Sequence, residues 1–362
     1  MHGLTVFLIY LFLICFPAFI CAYRHGTSSI VRKSNRPVTL LLPMFALALI
    51  MGLRHSSVGV DTQRYITTLT NYSHMGLKTL FSQGYAYGFY LFNKIMSYLC
   101  GGSYTVYFSI IAVFVCISFY FFFRRHSVDY CLSQVLLIAL GFSFFFMTGL
   151  KQTLAICILL YAYTALRDRK IVLFVLLTVL AASFHPSALI FLLILPVQIG
   201  VLRRIMIVLA PFVIVLANIY QEQIFRLFGN LLPEDLYSTY GTTYTSQINM
   251  TGLLIQIAIF AMSLVLLWTH LKEDDEASHL LAIYVIGMFF QAMTGILGEF
   301  ARVSMYFSLF GTLLLPKALS KVDKRYYTAL SAAVCLVFAA YFIGFSSSES
   351  GILPYHFFWE LY

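Results

Sequence analysis

Apolar stretches of about 15 to 21 residues, separated by short polar connections, run along almost the whole chain. They fall at 3–22, 37–53, 104–123, 130–148, 151–166, 170–184, 187–200, 203–220, 252–270, 279–297, 301–319 and 326–345. A helix needs about 20 apolar residues to cross a hydrocarbon core, so these lengths predict an all-α polytopic membrane protein with about 12 transmembrane helices. A thirteenth stretch near 85–100 is shorter, rich in tyrosine, and carries Asn93 and Lys94. The pattern predicts one integral membrane domain over residues 1–362. Two polar connections, 54–84 and 221–250, are much longer than the rest.

Charge decides how the thirteenth stretch is read. If 85–100 does not cross and the N-terminus lies outside, the inner connections hold 16 of the 23 lysines and arginines. Among them are Arg124, Arg125, Arg167, Arg169, Lys170, Arg203 and Arg204. The outer side then keeps Arg54, Arg64, Lys78, Lys94, Lys151, Arg226 and Arg302. A full crossing at 85–100 would put every later basic connection outside, against the positive-inside rule. The stretch therefore reads as a re-entrant or interfacial helix, tolerated where protein or water covers its polar groups. Both termini and both long connections are then expected outside.

Composition excludes the alternatives to a membrane protein. With 61% hydrophobic and 10% charged residues and a mean hydropathy of +0.88, no soluble core could bury so much apolar surface. The formal charge of +9 fits basic loops, and no nucleic-acid partner is expected. The seven cysteines, Cys15, Cys21, Cys100, Cys116, Cys131, Cys157 and Cys335, sit in or beside apolar runs without a paired motif. They read as small buried hydrophobes. Residues 3–22 lack a basic segment before the apolar run and read as a retained helix rather than a signal peptide.

This topology collects the chemistry at one face. Arg54, Asp61, Lys151, Gln152, His185, Glu299 and Arg302 all fall on the outer side, although they are spread over about 250 residues. The stretch Gly52 to Tyr65 is the densest part, with Arg54, His55, Asp61, Arg64 and Tyr65 after an apolar run. Each residue also has a structural role open to it. Arg54 could anchor a helix end, Asp61 could cap a helix starting at Thr62, and Lys151 could snorkel. Glu299 and Arg302 could be a local i,i+3 pair.

Taken together they suit an anionic substrate. Cations at membrane depth are costly without an anion, and a lipid-linked diphosphate supplies one. Positioned Arg54, Lys151 and Arg302 would stabilise charge on a departing diphosphate. Asp61 or His185 could accept the proton of an attacking hydroxyl. Tyr237, Tyr240 and Tyr244 offer flat faces to sugar rings. Asp61, His185 and Glu299 could ligate a divalent ion, but their spacing does not require one. No cofactor is expected.

One set of residues carries a family resemblance. Gly52-Leu-Arg54, Val58-Gly59-Val-Asp61-Thr-Gln-Arg-Tyr65, Lys151-Gln152-Thr-Leu-Ala155, Ala182-Ser-Phe-His185-Pro-Ser187-Ala188, Arg302 with Tyr306, and Pro354-Tyr355 resemble, in order, the EpsG family of Wzy-like bacterial polysaccharide polymerases. Lys151 departs from that pattern, in which arginine is usual, and replaces a bidentate phosphate contact by a point charge.

The resemblance implies a glycosyltransferase of the multi-spanning, glycosyltransferase-C-like kind that uses lipid-linked donors. It would join undecaprenyl-diphosphate-linked oligosaccharide repeat units at the outer face of the bacterial cytoplasmic membrane, for O-antigen, capsule or exopolysaccharide. Asp61 and His185 are the catalytic candidates. Arg54, Lys151 and Arg302 are the diphosphate-binding candidates. Arg64, Tyr65, Gln152, Tyr240 and Glu299 are the substrate-binding candidates. A chain-length regulator and a flippase are the implied partners. A ligase or single-sugar transferase would share this chemistry, whereas a transporter of the same lipid-linked sugars should bury its charges near the midplane.

Overall fold

The computed structural model describes residues 37–76, 78–79, 82, 86–220, 223–224, 250–295, 297–345, 351–352 and 354–360. The expected helix at 3–22, nearly all of the 221–250 connection, and Tyr237, Tyr240 and Tyr244 lie outside them. Among the described residues the structure is helical without a named strand. An isolated antiparallel bridge joins Arg54 and Phe357.

The helices are α1 (Pro37–Gly52), α2 (Thr62–His74), α3 (Tyr87–Leu99), α4 (Tyr104–His126), α5 (Tyr130–Ala139), α6 (Phe142–Thr148), α7 (Leu150–Arg167) and α8 (Ile171–Phe184). Tight helical turns cover Pro186–Ile194 and Pro196–Gln198. Then follow α9 (Gly200–Ile219), α10 (Met250–Leu267), α11 (Asp275–Ala292), α12 (Glu299–Ser308), α13 (Gly311–Leu319) and α14 (Lys324–Phe345).

Among the described residues most of the expected apolar stretches are helical, and fewer than the expected number reach membrane length. Among the described residues, 5 are long and apolar enough to cross, or 6 if the bent pair α5 and α6 counts as one span. The chain is thus a multi-pass membrane protein, and the described residues account for 5 or 6 of the about 12 expected spans. Helix α8 has 14 residues, about 21 Å at 1.5 Å per residue, against a core of about 30 Å. It stops at Phe184 because Pro186 drives the preceding residue out of the helical region, and His185 is extended. The stretch 301–319 is two helices, α12 and α13. The stretch 130–148 bends by 57° at Gly141, whose φ of 80° a side chain would strain.

The chain forms two compact units, Met1–Leu189 with Asp323–Tyr362, and Ile190–Val322. In the first, α1 packs on α4, and α7 and α8 form a tight antiparallel pair. Local signals start and stop these helices. Ser103 caps α4 by accepting from the Val106 N–H, and Asp129 caps α5 by accepting from Cys131 and Leu132. Arg124 and Arg125 stand in the last turn of α4, where cations suit the free carbonyls. Tyr327 of α14 donates to the Asp129 carboxylate and ties the last helix to the fifth.

Cys100, Cys116, Cys157 and Cys335 are free thiols. Cys131 is disulfide-bonded, contrary to its reading as a buried hydrophobe. Pairing depends on tertiary proximity, which sequence spacing does not carry.

In the second unit α11 is almost wholly buried and is held at its N-terminus by charge. Asp274 accepts from the Ala277 N–H and pairs with Lys317 at 3.1 Å and Lys321 at 2.8 Å. Burial opposes its ionisation, but the hydrogen bonds from Lys321, Ala277 and Lys317 outweigh it and hold the carboxyl at about 2. Arg203 of α9 pairs with Asp275 and approaches the buried His279 ring at 3.4 Å. Gln198 meets the other ring nitrogen of His279 at 3.1 Å.

Candidate functional site

The site is built at one end of the first unit, around the short helices α2 and α3. Helix α3 is the interfacial candidate. Its 13 residues are too short to cross, and it exposes Leu91, Ile95, Tyr98 and Leu99 along one face. Its polar residues are satisfied by protein. Asn93, fully buried, donates to the Phe89 carbonyl at 2.8 Å and accepts from the Tyr107 hydroxyl at 2.8 Å. Lys94 donates to the carbonyls of Ser73 and Met75, both at 2.8 Å, and so caps the C-terminus of α2 with a cation.

Among the described residues of this unit Arg54 is the most buried charge, at 1% exposure. One guanidinium nitrogen donates to the Met51 carbonyl at 2.7 Å, at the end of α1. Another donates to the Met147 carbonyl at 3.1 Å, at the end of α6. The guanidinium carbon lies 4.0 Å from the centre of the Phe108 ring of α4. The backbone on either side pairs with the C-terminal segment: His55 donates to the His356 carbonyl at 2.8 Å, and Phe358 donates to the Leu53 carbonyl at 2.9 Å. Tyr355 adds a hydroxyl bond to the Ile50 carbonyl. Arg54 thus joins α1, α4, α6 and residues 354–358, and the diphosphate role expected of it would have to displace these partners.

Asp61 precedes α2 but does not cap it. Its side chain accepts no bond from the helix N-terminus, and among the described residues its carboxylate has no hydrogen-bond or ion-pair partner. The preceding turn is shaped by Gly59, whose φ of 97° favours glycine and whose N–H donates to the Gly351 carbonyl at 2.8 Å. One helical turn on, Tyr65 is buried and its hydroxyl accepts from the Leu150 N–H at 3.1 Å. Burial and the nearby Asp61 charge push the Tyr65 hydroxyl up to about 12, so it stays neutral. Arg64, on the exposed side of α2, pairs with no acidic group among the described residues and lies within electrostatic reach of Lys151.

Lys151 opens α7 just after the Tyr65 contact. Its Nζ lies 5.2 Å from the Phe89 ring centre and 5.5 Å from that of Tyr90, and it has no anionic partner among the described residues. Gln152 is buried at 2%. His185 ends α8 beside the same part of α3: a Cβ placed on Gly88 would meet Ser183 Oγ, and Phe92 lies 6.2 Å from Phe184. His185 Nδ1 is 2.6 Å from Ser187 Oγ. Lys151 and His185 therefore border one half of α3, with Asp61, Arg64 and Tyr65 on the neighbouring α2.

Glu299 and Arg302 belong to the second unit. They form an i,i+3 pair at 3.3 Å with about half of each side chain exposed, a geometry that contributes less than about 1 kcal/mol. Among the described residues no three His, Cys, Asp or Glu side chains gather as a metal site. Two features escaped the sequence reading. One is the C-terminal segment that folds over Arg54, for which Pro354-Tyr355 was the single signal. The other is Lys94, which fastens α2 to α3.

A family model described as the EpsG family matches residues 38–357. No curated protein and no solved structure matches the chain.

Proposed function

The chain belongs to the EpsG family, and we propose on that basis that it polymerises oligosaccharide repeat units carried on undecaprenyl diphosphate, at the outer face of the bacterial cytoplasmic membrane. The family points to polysaccharide biosynthesis by a glycosyltransferase-like polymerase. The observation that carries the reading beyond the family is a set of charges without partners in the first unit. Asp61, Arg64 and Lys151 converge around α2, α3 and the N-terminus of α7, and none has an oppositely charged partner among the described residues. Charges left open beside apolar helices are costly unless a ligand meets them.

In the proposed reaction a hydroxyl of the incoming repeat unit attacks the anomeric carbon of the lipid-linked chain. The new glycosidic bond forms as the bond to the diphosphate breaks. Asp61 takes the hydroxyl proton, because its carboxylate is not occupied by helix capping. Lys151, at the N-terminus of α7, and Arg64 receive the charge growing on undecaprenyl diphosphate. Tyr65 positions that helix N-terminus, and buried Gln152 and His185 shape the wall of the site. Arg54 acts through the backbone it holds. The expectation that Arg302 and Glu299 contact substrate rests on the sequence and is tested separately by Arg302→Ala.

The test is incubation of the purified protein with a defined lipid-diphosphate-linked repeat unit. A ladder of products supports the polymerase. One added unit indicates a simple transferase, and no product contradicts both.

A further inference from the structure

A second site lies at the other end of α7, about 20 Å along the helix from Lys151. There α4 and α7 enclose a cavity of about 490 Å³. Phe121, Leu160 and Tyr161 form apolar walls, Ser118 and Thr164 add hydroxyls, and Arg124 and Arg125 stand at its edge. Charge around it is one-sided. Arg167 at the end of α7 and Arg169 and Lys170 in the turn after it add further cations, against Asp168, which pairs with Arg125. Arg124 is exposed, and its guanidinium has no described partner.

The apolar side of the cavity is continuous with an exposed apolar stripe. Val113, Ile117 and Phe121 recur every fourth residue along α4, with 49%, 46% and 51% of their surface exposed. The stripe runs toward the two arginines. An apolar track ending in paired guanidinium groups matches a molecule with an acyl chain and a phosphate. It does not match a soluble anion, which has nothing to place against Phe121 and Tyr161. Nor does it match a zwitterionic lipid, whose own cation would meet the surrounding lysine and arginines. Basic pockets at helix ends bind anionic headgroups by the same physics.

We propose that the cavity between α4 and α7 binds an anionic glycerophospholipid, with its phosphate at Arg124 and Arg125 and an acyl chain along Ile117 and Phe121. The lipid joins the ends of α4 and α7, whose other ends carry the Arg54 contact and Lys151. The site does not depend on the proposed polymerase activity.

The experiment is native mass spectrometry of the full-length protein in mixtures of phosphatidylglycerol and acyl-matched phosphatidylcholine. The wild type retains phosphatidylglycerol at least fivefold more than phosphatidylcholine. R124Q/R125Q removes the preference, and Asp168→Asn, which deletes the anion at the edge, keeps or raises it. Should the double variant fail to fold, Arg124→Gln alone lowers the preference by about fivefold, the scale set by one cation near a membrane surface. Excess glycerol 3-phosphate, the headgroup without chains, leaves the bound lipid in place. Equal retention of the two lipids, an undiminished preference in Arg124→Gln, or displacement by glycerol 3-phosphate overturns the proposal.

Discussion

The hydroxyl of Tyr65 accepts a hydrogen bond from the backbone N–H of Leu150 at 3.1 Å, which fastens α2 to the first turn of α7 one residue before Lys151. This bond sets where Lys151 stands relative to Asp61 and Arg64. Tyr65→Phe removes one donor–acceptor pair at a buried helix end, a loss of about 1 kcal/mol. The expected outcome is a small fall in melting temperature with a larger fall in polymerisation rate. An unchanged rate would detach Tyr65 from the site.

Lys151 meets the rings of Phe89 and Tyr90 but has no described anion partner. Lys151→Met should lower the rate by about 10² to 10³, the scale for losing one donor to developing charge. Lys151→Arg, which keeps the charge, should stay within about tenfold of wild type. Steady-state rates on a lipid-linked repeat unit check both.

Arg54 is occupied by the carbonyls of Met51 and Met147 and by the Phe108 ring, at 1% exposure. Arg54→Ala leaves two buried carbonyls without their donor, which costs about 3 kcal/mol or more. The loss should appear first as reduced thermal stability in detergent, before any effect on chemistry. A stable but inactive Arg54→Ala protein would instead place the guanidinium in contact with substrate.

Asp274 gives a stability signature in acid. Burial opposes ionisation, yet Lys321, the Ala277 N–H and Lys317 hold its carboxyl at about 2. The unfolded value is about 3.9, so the group is depressed on folding. Its contribution is present above about pH 4 and is lost as pH falls through about 2. Asp274→Asn should therefore melt lower than wild type at pH 7, and the gap should narrow between pH 4 and 2. Melting curves in detergent over that range decide it.

Much of the helix pattern was legible in the sequence because apolar runs are local signals. The stretch 104–123 became α4, and 85–100 became the short α3, whose exposed Leu91, Ile95, Tyr98 and Leu99 give it an outward apolar face. Lengths were less legible. The stretch 301–319 reads as continuous, yet it breaks at Leu309 and Phe310, between α12 and α13. The site was legible as a list of residue types and not as a set of partners. Arg54 and Lys151 look equivalent in sequence, both cations at helix ends. Only the C-terminal segment, about 300 residues further on, shows that Arg54 is enclosed while Lys151 remains open.

Asp61 offers the most direct test, because its carboxylate is not used to cap α2. Asp61→Asn keeps the shape and removes the base. The measurement is product length from a defined lipid-diphosphate-linked repeat unit, made by wild-type and Asp61→Asn proteins of matched melting temperature. The expected result is a ladder from the wild type and a rate at least about 10² lower from the variant. A normal ladder from a folded Asp61→Asn protein would contradict the assignment.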